Sequence, residues 1–221
     1  MKIVVLTGAG ISAESGIPTY RDTDGLWSKY DTNTVATVRA IKESPAQVID
    51  FFNKIRESLK DKKPNAAHRA LARLEKKHEV TIVTQNIDNL HEMAGSTRVI
   101  HIHGNITMAK HFDTGESLFI GYDSLPIDGK YRPDIVLFGE WPNDNEALDH
   151  MSECDLFISI GTSGSVFPAA SYIDRINMLG KSDTIEMNIT GTRIGNKFNR
   201  FIKGKATNSV PKLVRELNGN K

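Results

Sequence analysis

Residues 8–27 read GAGISAESGIPTYRDTDGLW and follow directly on the apolar run KIVVLT at 2–7. That run is long enough for one buried strand, and it hands Gly8, Ala9 and Gly10 to a turn from which Ile11 through Ser15 can open a helix. Gly8 permits a tight turn, and Gly10 removes the Cβ that would hold a backbone away from a pyrophosphate. The helix start beyond offers unpaired N–H groups and the positive end of a dipole, which suit phosphate. G-x-G-x-x-A after a strand is a weak dinucleotide fingerprint by itself, and the acidic residue that usually closes the second strand is not evident. The polar, Gly- and Pro-containing stretch that follows ends in Tyr20-Arg21-Asp22. It reads as a loop that folds over a bound ligand.

Outward from this turn, apolar runs at 2–7, 80–84, 98–102, 134–138, 155–161 and 183–189 predict strands, with helical patterns between several of them. The alternation predicts an α/β fold with a mainly parallel, Rossmann-like sheet. One helix is marked by Ser44 as N-cap, Pro45 at the first position, and Val48, Ile49, Phe52, Ile55 and Leu59 on one face. A second starts near Pro64 with Ala67, Ala70, Leu71 and Leu74 inward, and others are expected at about 167–179 and 209–217. Two segments break the scheme: 24–62, helical and polar, and 105–131, which carries Gly115, Gly121, Gly129 and one weak strand, LFIGY.

The 221 residues fit one sizeable domain with a small insertion, and 39% apolar content suffices for a real core. A net charge of +1 gives no cationic field, so nucleic acid is not an expected partner. A single cysteine excludes an internal disulfide and fits a reducing, cytoplasmic setting. No stretch of 18 apolar residues occurs, so a membrane is not an expected partner either.

GAGISAESGIPTYR resembles the opening motif of the sirtuins, NAD-dependent protein deacylases. The resemblance continues through PNAAHRALARLE (64–75), TQNIDNLHEMAG (84–95), IHGNI (102–106), RPDIVLFGE (132–140), GTSGSVFPAA (161–170) and Met187-Asn188, along nearly the whole chain. It implies a Rossmann-like NAD-binding domain from 1–23, 63–104 and 132–221. It also implies a small domain from two insertions, 24–62 and 105–131, with NAD and an acyl-lysine protein or peptide meeting between the two. A monomer is expected. Sirtuins usually hold a structural zinc on two Cys pairs in the small domain. Between Gly104 and Arg132 this chain has no cysteine, so a thiolate site there is impossible and no metal is expected. His101, His103, His111 and Asp113 form only a thin pattern, and the insertion is expected to fold on Leu118, Phe119, Ile120 and Tyr122. Cys154 reads as a small buried residue.

The implied reaction breaks the nicotinamide–ribose bond of NAD, joins the amide oxygen of the acyl-lysine to the ribose, and then needs a general base to deprotonate a ribose hydroxyl. A histidine titrating near 6.5 suits that task, and His103 in IHGN stands at the family's position. Asn86 and Asp88 of QNID are the other catalytic candidates, Asp88 being also a natural N-cap for the helix that follows. Gln85 and Ile87 flank them in the cofactor site. Arg21 suits phosphate or ribose, and Tyr20 stands where sirtuins often have Phe. Ser12, Gly161, Thr162, Ser163 and Asn188 are expected along the adenosine half. Val136, Phe138, Gly139 and Glu140, facing Ser165, Val166 and Phe167, resemble the segments that receive an extended peptide by strand addition. His68, His78, His91, His101, His111 and His150 are read as structural.

The desuccinylase branch of the family grips an acidic acyl group with a Tyr and, three residues on, an Arg. Here those places hold Phe52 and Ile55, with Arg56 one step, about 100°, out of register and expected to point away. Acetyl or longer apolar acyl groups are favoured. The competing reading is an ADP-ribosyltransferase or NAD glycohydrolase using the same bond cleavage; a non-catalytic NAD sensor is disfavoured by the intact His103, Asn86 and Asp88.

Overall fold

Both faces of the central strands must be apolar if helices are to cover both sides of a sheet, and KIVVLT, EVTIVT and LFISI meet that condition. The computed structural model describes residues 1–19 and 26–219; Tyr20 and Arg21 lie outside the described residues. In chain order the strands are β1 (Lys2–Thr7), β2 (Glu79–Thr84), β3 (Val99–His101), β4 (Gly104–His111), β5 (Ser117–Phe119), β6 (Tyr131–Ile135), β7 (Leu156–Ile160), β8 (Asp183–Asn188) and β9 (Arg200–Lys203). The helices are α1 (Ala9–Ser12), α2 (Thr32–Val35), α3 (Val38–Glu43), α4 (Pro45–Leu59), α5 (Ala66–Leu74), α6 (Leu90–Met93), α7 (Asn145–Glu153), α8 (Tyr172–Leu179) and α9 (Ala206–Leu217).

Among the described residues, six strands form a parallel sheet in the order β3-β2-β1-β7-β8-β9. Alternate residues face opposite layers. Ile3, Val5, Ile82 and Ile158 pack on Leu71 and Leu74 of α5 and Val210 and Leu213 of α9. Val4, Leu6, Val83 and Phe157 pack on Met151 of α7 and Tyr172, Ile173 and Ile176 of α8. The chain crosses from β2 to β7 on either side of β1, and this reversal opens a crevice at the carboxyl ends of β1 and β7.

A second, antiparallel sheet in the order β5-β4-β6 shares a core with α2, α3 and α4, formed by Val35, Phe51, Phe52, Ile55, Ile106, Ile135 and Leu137. The apolar run at 134–138 is therefore no member of the parallel sheet. Its strand starts earlier, at Tyr131, and pairs with β4. Strand β9 was not foreseen, because RFIK lies at a sheet edge with one residue half-buried and the rest exposed. Leu118 and Phe119 are 50% and 69% exposed; the core of this region is instead Ile49, Ala109 and Leu125, with Ile120 and Tyr131 beside them.

Helix α4 follows the sequence reading in extent, with Pro45 at its start, although Ser44 makes no side-chain cap bond. Arg56 is the correction. It is fully buried, its Nε donating to the Ile106 carbonyl at 2.9 Å and its Nη1 to Asn53 Oδ1 at 2.5 Å. A one-faced helix would have left it in solvent, but α4 is covered by α2 and α3 on one side and by β4 and β6 on another. Two faces are buried, so the step of about 100° lands inside. Phe52 and Ile55 are likewise core residues, 0% and 6% exposed.

Candidate active site

Three loops converge on the crevice at the ends of β1, β2 and β7. The first is Gly8–Ser12. Helix α1 is a single turn, continued by a 3-10 turn at Ala13–Ser15, so the helical stretch expected over Ile11–Ser15 starts earlier, at Ala9, and stays short. The glycines have a firmer reason than approach to phosphate. A Cβ on Gly10 would lie 2.7 Å from the Gly161 Cα, and one on Gly8 would lie 2.9 Å from the Gly161 oxygen. The backbones after β1 and β7 thus interlock, joined by Gly8 N–H to Ile160 O and Gly10 N–H to Gly161 O, both at 3.0 Å. Two loops held at this distance leave the crevice beside them lined by main chain.

The second loop is Gln85–Asp88. Gln85 N–H donates to the Thr7 carbonyl at 2.9 Å and Asn86 N–H to Thr84 Oγ1 at 3.0 Å. Asp88 is buried. Its carboxylate accepts from the Ser12 hydroxyl at 3.0 Å and from Leu90 N–H at 3.1 Å; the N-cap of α6 is Asn89, not Asp88, which holds the first helical N–H from one residue further out. Burial raises its pKa, against the pull of Leu90 N–H, Ser12 and His101. Asn86 donates to Gly8 O at 3.2 Å and reaches Ser12 Oγ at 3.3 Å. The hydroxyl of Ser12, expected along the adenosine half, links Asn86, Asp88 and, at 3.4 Å, His68. Ile87 is half-buried and its carbonyl accepts from Ile106 N–H.

His103 follows β3. Its Nδ1 lies 3.0 Å from the Gln85 carbonyl. A carbonyl only accepts, so Nδ1 carries the proton and Nε2 is left with its lone pair. Burial lowers the pKa of the ring, offset in part by the Gln85 carbonyl. A neutral imidazole with a free Nε2 and a fixed tautomer is the equipment of a general base.

The third loop is Gly161–Phe167. Asn188, at the end of β8, donates to the Thr162 carbonyl at 2.7 Å and accepts from Ile189 N–H, while Thr162 Oγ1 accepts from Gly164 N–H and Ser163 Oγ from Ser165 N–H. These bonds fix the loop's shape. Val136 N–H donates to the His103 carbonyl at 3.0 Å, which ties the segment 136–140 to the histidine. Phe138, Val166 and Phe167 are large apolar side chains left 57%, 47% and 64% exposed. The Phe138 main chain is already bonded to Ala36 and Val38, and the Glu140 carboxylate is held by Arg132 at 2.8 Å and by Leu137 N–H at 2.9 Å. Glu140 thus fixes the turn at Gly139 through its side chain.

Three histidines read as bland have more to do. His68 Nδ1 accepts from Asn65 N–H, completing a capping box on α5. His91 is fully buried, with Nε2 3.0 Å from the Thr7 hydroxyl and Nδ1 unpartnered. His101 pairs with Glu92 at 2.6 Å. Nothing in the local sequence singles out the last two, since their partners come from other elements. His111 turns its Nδ1 to the N–H groups of Asp113 and Thr114. Among the described residues, no three His, Cys, Asp or Glu side chains are grouped to hold a metal.

Fold and site together define a dinucleotide-type α/β protein with a histidine, His103, held beside the loop that follows β2. The sequence profile of the Sir2 family matches residues 8–168, and the chain belongs to that family. An NAD-dependent protein deacylase of Caulobacter vibrioides is 44% identical over 234 positions, covering 98% of this chain and 97% of the relative. Among solved structures, a mutant Sir2 homologue in complex with ADP-ribose superposes with a TM-score of 0.90 at 33% identity, covering 98% of this chain and 92% of that one. A Sir2–p53 peptide–NAD+ complex superposes with a TM-score of 0.81 at 31% identity, covering 98% and 93%.

Proposed function

We propose that this chain is an NAD-dependent protein lysine deacylase, which releases nicotinamide from NAD and passes the acyl group of an acyl-lysine to ADP-ribose. The observation that carries the reading is His103, neutral, with Nδ1 spent on the Gln85 carbonyl and Nε2 free. The crevice fits the dinucleotide: the interlocked Gly8, Gly10 and Gly161 bare main chain at the point where strand order reverses. Gly8, Ala9, Gly10, Gly161, Thr162, Ser163 and Asn188 would hold the phosphate and adenosine half, and Gln85, Asn86, Ile87 and Asp88 the nicotinamide half. NAD when bound supplies an electrophilic ribose carbon and the ADP-ribose acceptor.

In this reading His103 takes a proton at Nε2 from a hydroxyl, and the Gln85 carbonyl stabilises the imidazolium that results. The Asp88 carboxylate, with two bonds satisfied and lone pairs to spare, orients an amide by accepting its N–H. Asn86 is pinned on two sides, so its amide meets the ribose without rearranging. The substrate is an acyl-lysine protein or peptide lying between Val136–Glu140 and Ser165–Phe167, the exposed Phe138 and Val166 flanking the lysine stem. The acyl group is acetyl or a longer apolar one, since Phe52 and Ile55 offer no cation and Arg56 is turned to Ile106 and Asn53. Two insertions, 24–62 and 105–131, form the small domain, with β6 completing its sheet; their shared core is separate from those of the parallel sheet. A cytoplasmic setting accords with the lone buried Cys154. No described helix is long and apolar enough to cross a membrane.

Mass spectrometry of the protein with NAD and an acetyl-lysine peptide, beside a control without peptide, tests this. O-acetyl-ADP-ribose and free peptide appearing only with both substrates is the expected result. Nicotinamide released equally without peptide, or a peptide gaining ADP-ribose, would replace the reading by a glycohydrolase or a transferase. His103→Ala is expected to lose deacylation and keep NAD binding.

A further inference from the structure

Two histidines in HIHG clamp two successive carbonyls of the loop after β2. His103 Nδ1 meets Gln85 O at 3.0 Å, and His101 Nδ1 meets Asn86 O at 2.9 Å. They differ at the other ring nitrogen. His101 Nε2 lies 2.6 Å from Glu92 Oε1, on α6, with the imidazole side chain only 10% exposed. A carbonyl and a carboxylate are both acceptors, so both ring nitrogens must donate, and a ring that donates twice is a cation. A bare lone pair at 2.6 Å from a carboxylate would be repelled instead. The Asn105 amide nitrogen also approaches Nε2, at 3.3 Å, and cannot be flipped because Asn105 Oδ1 already accepts from the N–H and hydroxyl of Thr107. The shorter, charged contact to Glu92 decides the protonation.

We propose that the His101–Glu92 ion pair is a positioning element for the NAD reaction: His101, as imidazolium, straps the Asn86 carbonyl to α6 and so fixes the loop bearing Asn86 and Asp88. The proposal rests on the function proposed above. The groups facing His101 are Glu92 and the buried, neutral His91 from α6, and Asp88 and the Asn86 carbonyl from the loop; Tyr122, bonded to Asn89 at 2.7 Å, feels the charges of Asp88 and Glu92. Burial alone would lower the pKa of His101, but the bond and charge of Glu92, the Asn86 carbonyl and Asp88 together raise it. His103, two residues on, is lowered. Neighbouring histidines are thus driven to opposite charge states, one a fixed cation and one a free base.

The consequence is a bell-shaped pH profile of kcat/KM for NAD, with the acid limb set by His103 and the alkaline limb by His101. Glu92→Gln removes one opposite charge at contact distance, so the alkaline limb should move acidward by about one to two pH units while the acid limb stays. Glu92→Asp, which keeps the charge, should hold the limb near its wild-type place. His101→Gln should erase the alkaline limb and leave kcat/KM about ten- to a hundredfold below the wild-type plateau. Calorimetric titration of NAD into wild type and Glu92→Gln on either side of neutrality should show the same pH-dependent loss. Independently of activity, NMR of 15N-histidine-labelled protein, with His101→Gln to identify the signal, should find two bonded protons on His101 at neutral pH and one on His103. A singly protonated His101 at neutral pH, or an alkaline limb unmoved by Glu92→Gln, would overturn the proposal. Failure of the function reading would look different: wild type would release no nicotinamide in response to acyl-peptide at any pH, while the NMR and NAD titration would still decide the ion pair.

Discussion

Gly161→Ala and Gly180→Ala isolate how tightly the two loops of the crevice interlock. Both glycines have a φ of +63°. A Cβ on Gly180, at the C-terminal cap of α8, meets nothing within 4 Å, whereas one on Gly161 would lie 2.7 Å from Ile11 N and 2.8 Å from the Cα and carbonyl carbon of Gly10. The left-handed backbone costs an alanine about 1–2 kcal/mol at either position. Forced overlap with backbone adds about 1–3 kcal/mol, and only at 161, because neither loop has a flexible side chain to yield. The expected totals are roughly 2–5 against 1–2 kcal/mol. At roughly 2–4 °C per kcal/mol for a chain of this size, Gly161→Ala should lower Tm by about 4–20 °C and Gly180→Ala by about 2–8 °C, the overlap at 161 making its drop the larger. Gly161→Ala should also weaken NAD binding, since the main chain it displaces lines the proposed site, while Gly180→Ala should not. Thermal unfolding followed by circular dichroism, with and without NAD, measures both effects. Equal drops in Tm for the two variants would refute the interlocking argument.

Arg56→Met should be at least as stable as wild type, because Arg56 is fully buried with Nη2 unpartnered and burial pulls its pKa down to about 10; Arg56→Ala should lose about 2–4 kcal/mol by urea unfolding, the cavity being added. Stability should fall as pH drops from 6.5 towards 4, since burial holds His68 at about 4 in the folded protein while the unfolded chain protonates it near 6.5. The slope should reach about 1.4 kcal/mol per pH unit for His68, with His91 adding in the same direction, and urea titrations of His68→Gln should be flatter. His101 works with the opposite sign: its folded pKa is raised, so its contribution is present at low pH and lost as pH rises. Asn53→Ala should free the Leu125 amide, which now donates to Asn53 Oδ1 at 2.9 Å while the Leu125 carbonyl accepts from Nδ2 at 2.9 Å. Its hydrogen exchange should accelerate with a cost of roughly 1–3 kcal/mol, and unchanged exchange would dismiss the clasp.

What was legible in the sequence is what depends on neighbours along the chain. β1, β2 and β7 are buried on both faces along largely apolar runs, so each announces itself without reference to its partners; β8, DTIEMN, shows an apolar face only through Ile185 and Met187 and buries Thr184 and Glu186 on the other. The placement of His103 at a strand end and the convergence of Gln85–Asp88 with Gly161–Ser165 also follow from motifs that sit where parallel strands finish. What was not legible depends on partners far away. Arg56 is inside because α4 has cover on two sides. Ser12 braces Asp88, 76 residues on, whose carboxylate lies 3.0 Å from its hydroxyl. RFIK became β9 only because the edge of β8 was available to it. His101 was read as structural, and its charge state rests on Glu92 from another element.

The small sheet makes the same point about cause. A metal commonly closes a domain whose own apolar content is too low to order its loops. Here the loop before β6 is ordered from α4. Leu125 is 3% exposed between Ile49 and Ala109, and both of its main-chain groups bond the Asn53 amide. The same Asn53 Oδ1 receives Arg56 Nη1, and Arg56 Nε reaches the Ile106 carbonyl in β4. One helix thereby fastens both the loop and the central strand of the sheet, using a buried cation as the connecting piece. A buried, unpaired guanidinium is a costly way to make two hydrogen bonds. The cost is intelligible if position rather than stability is what it secures, because β4 begins at Gly104, directly after His103, the histidine proposed as the general base.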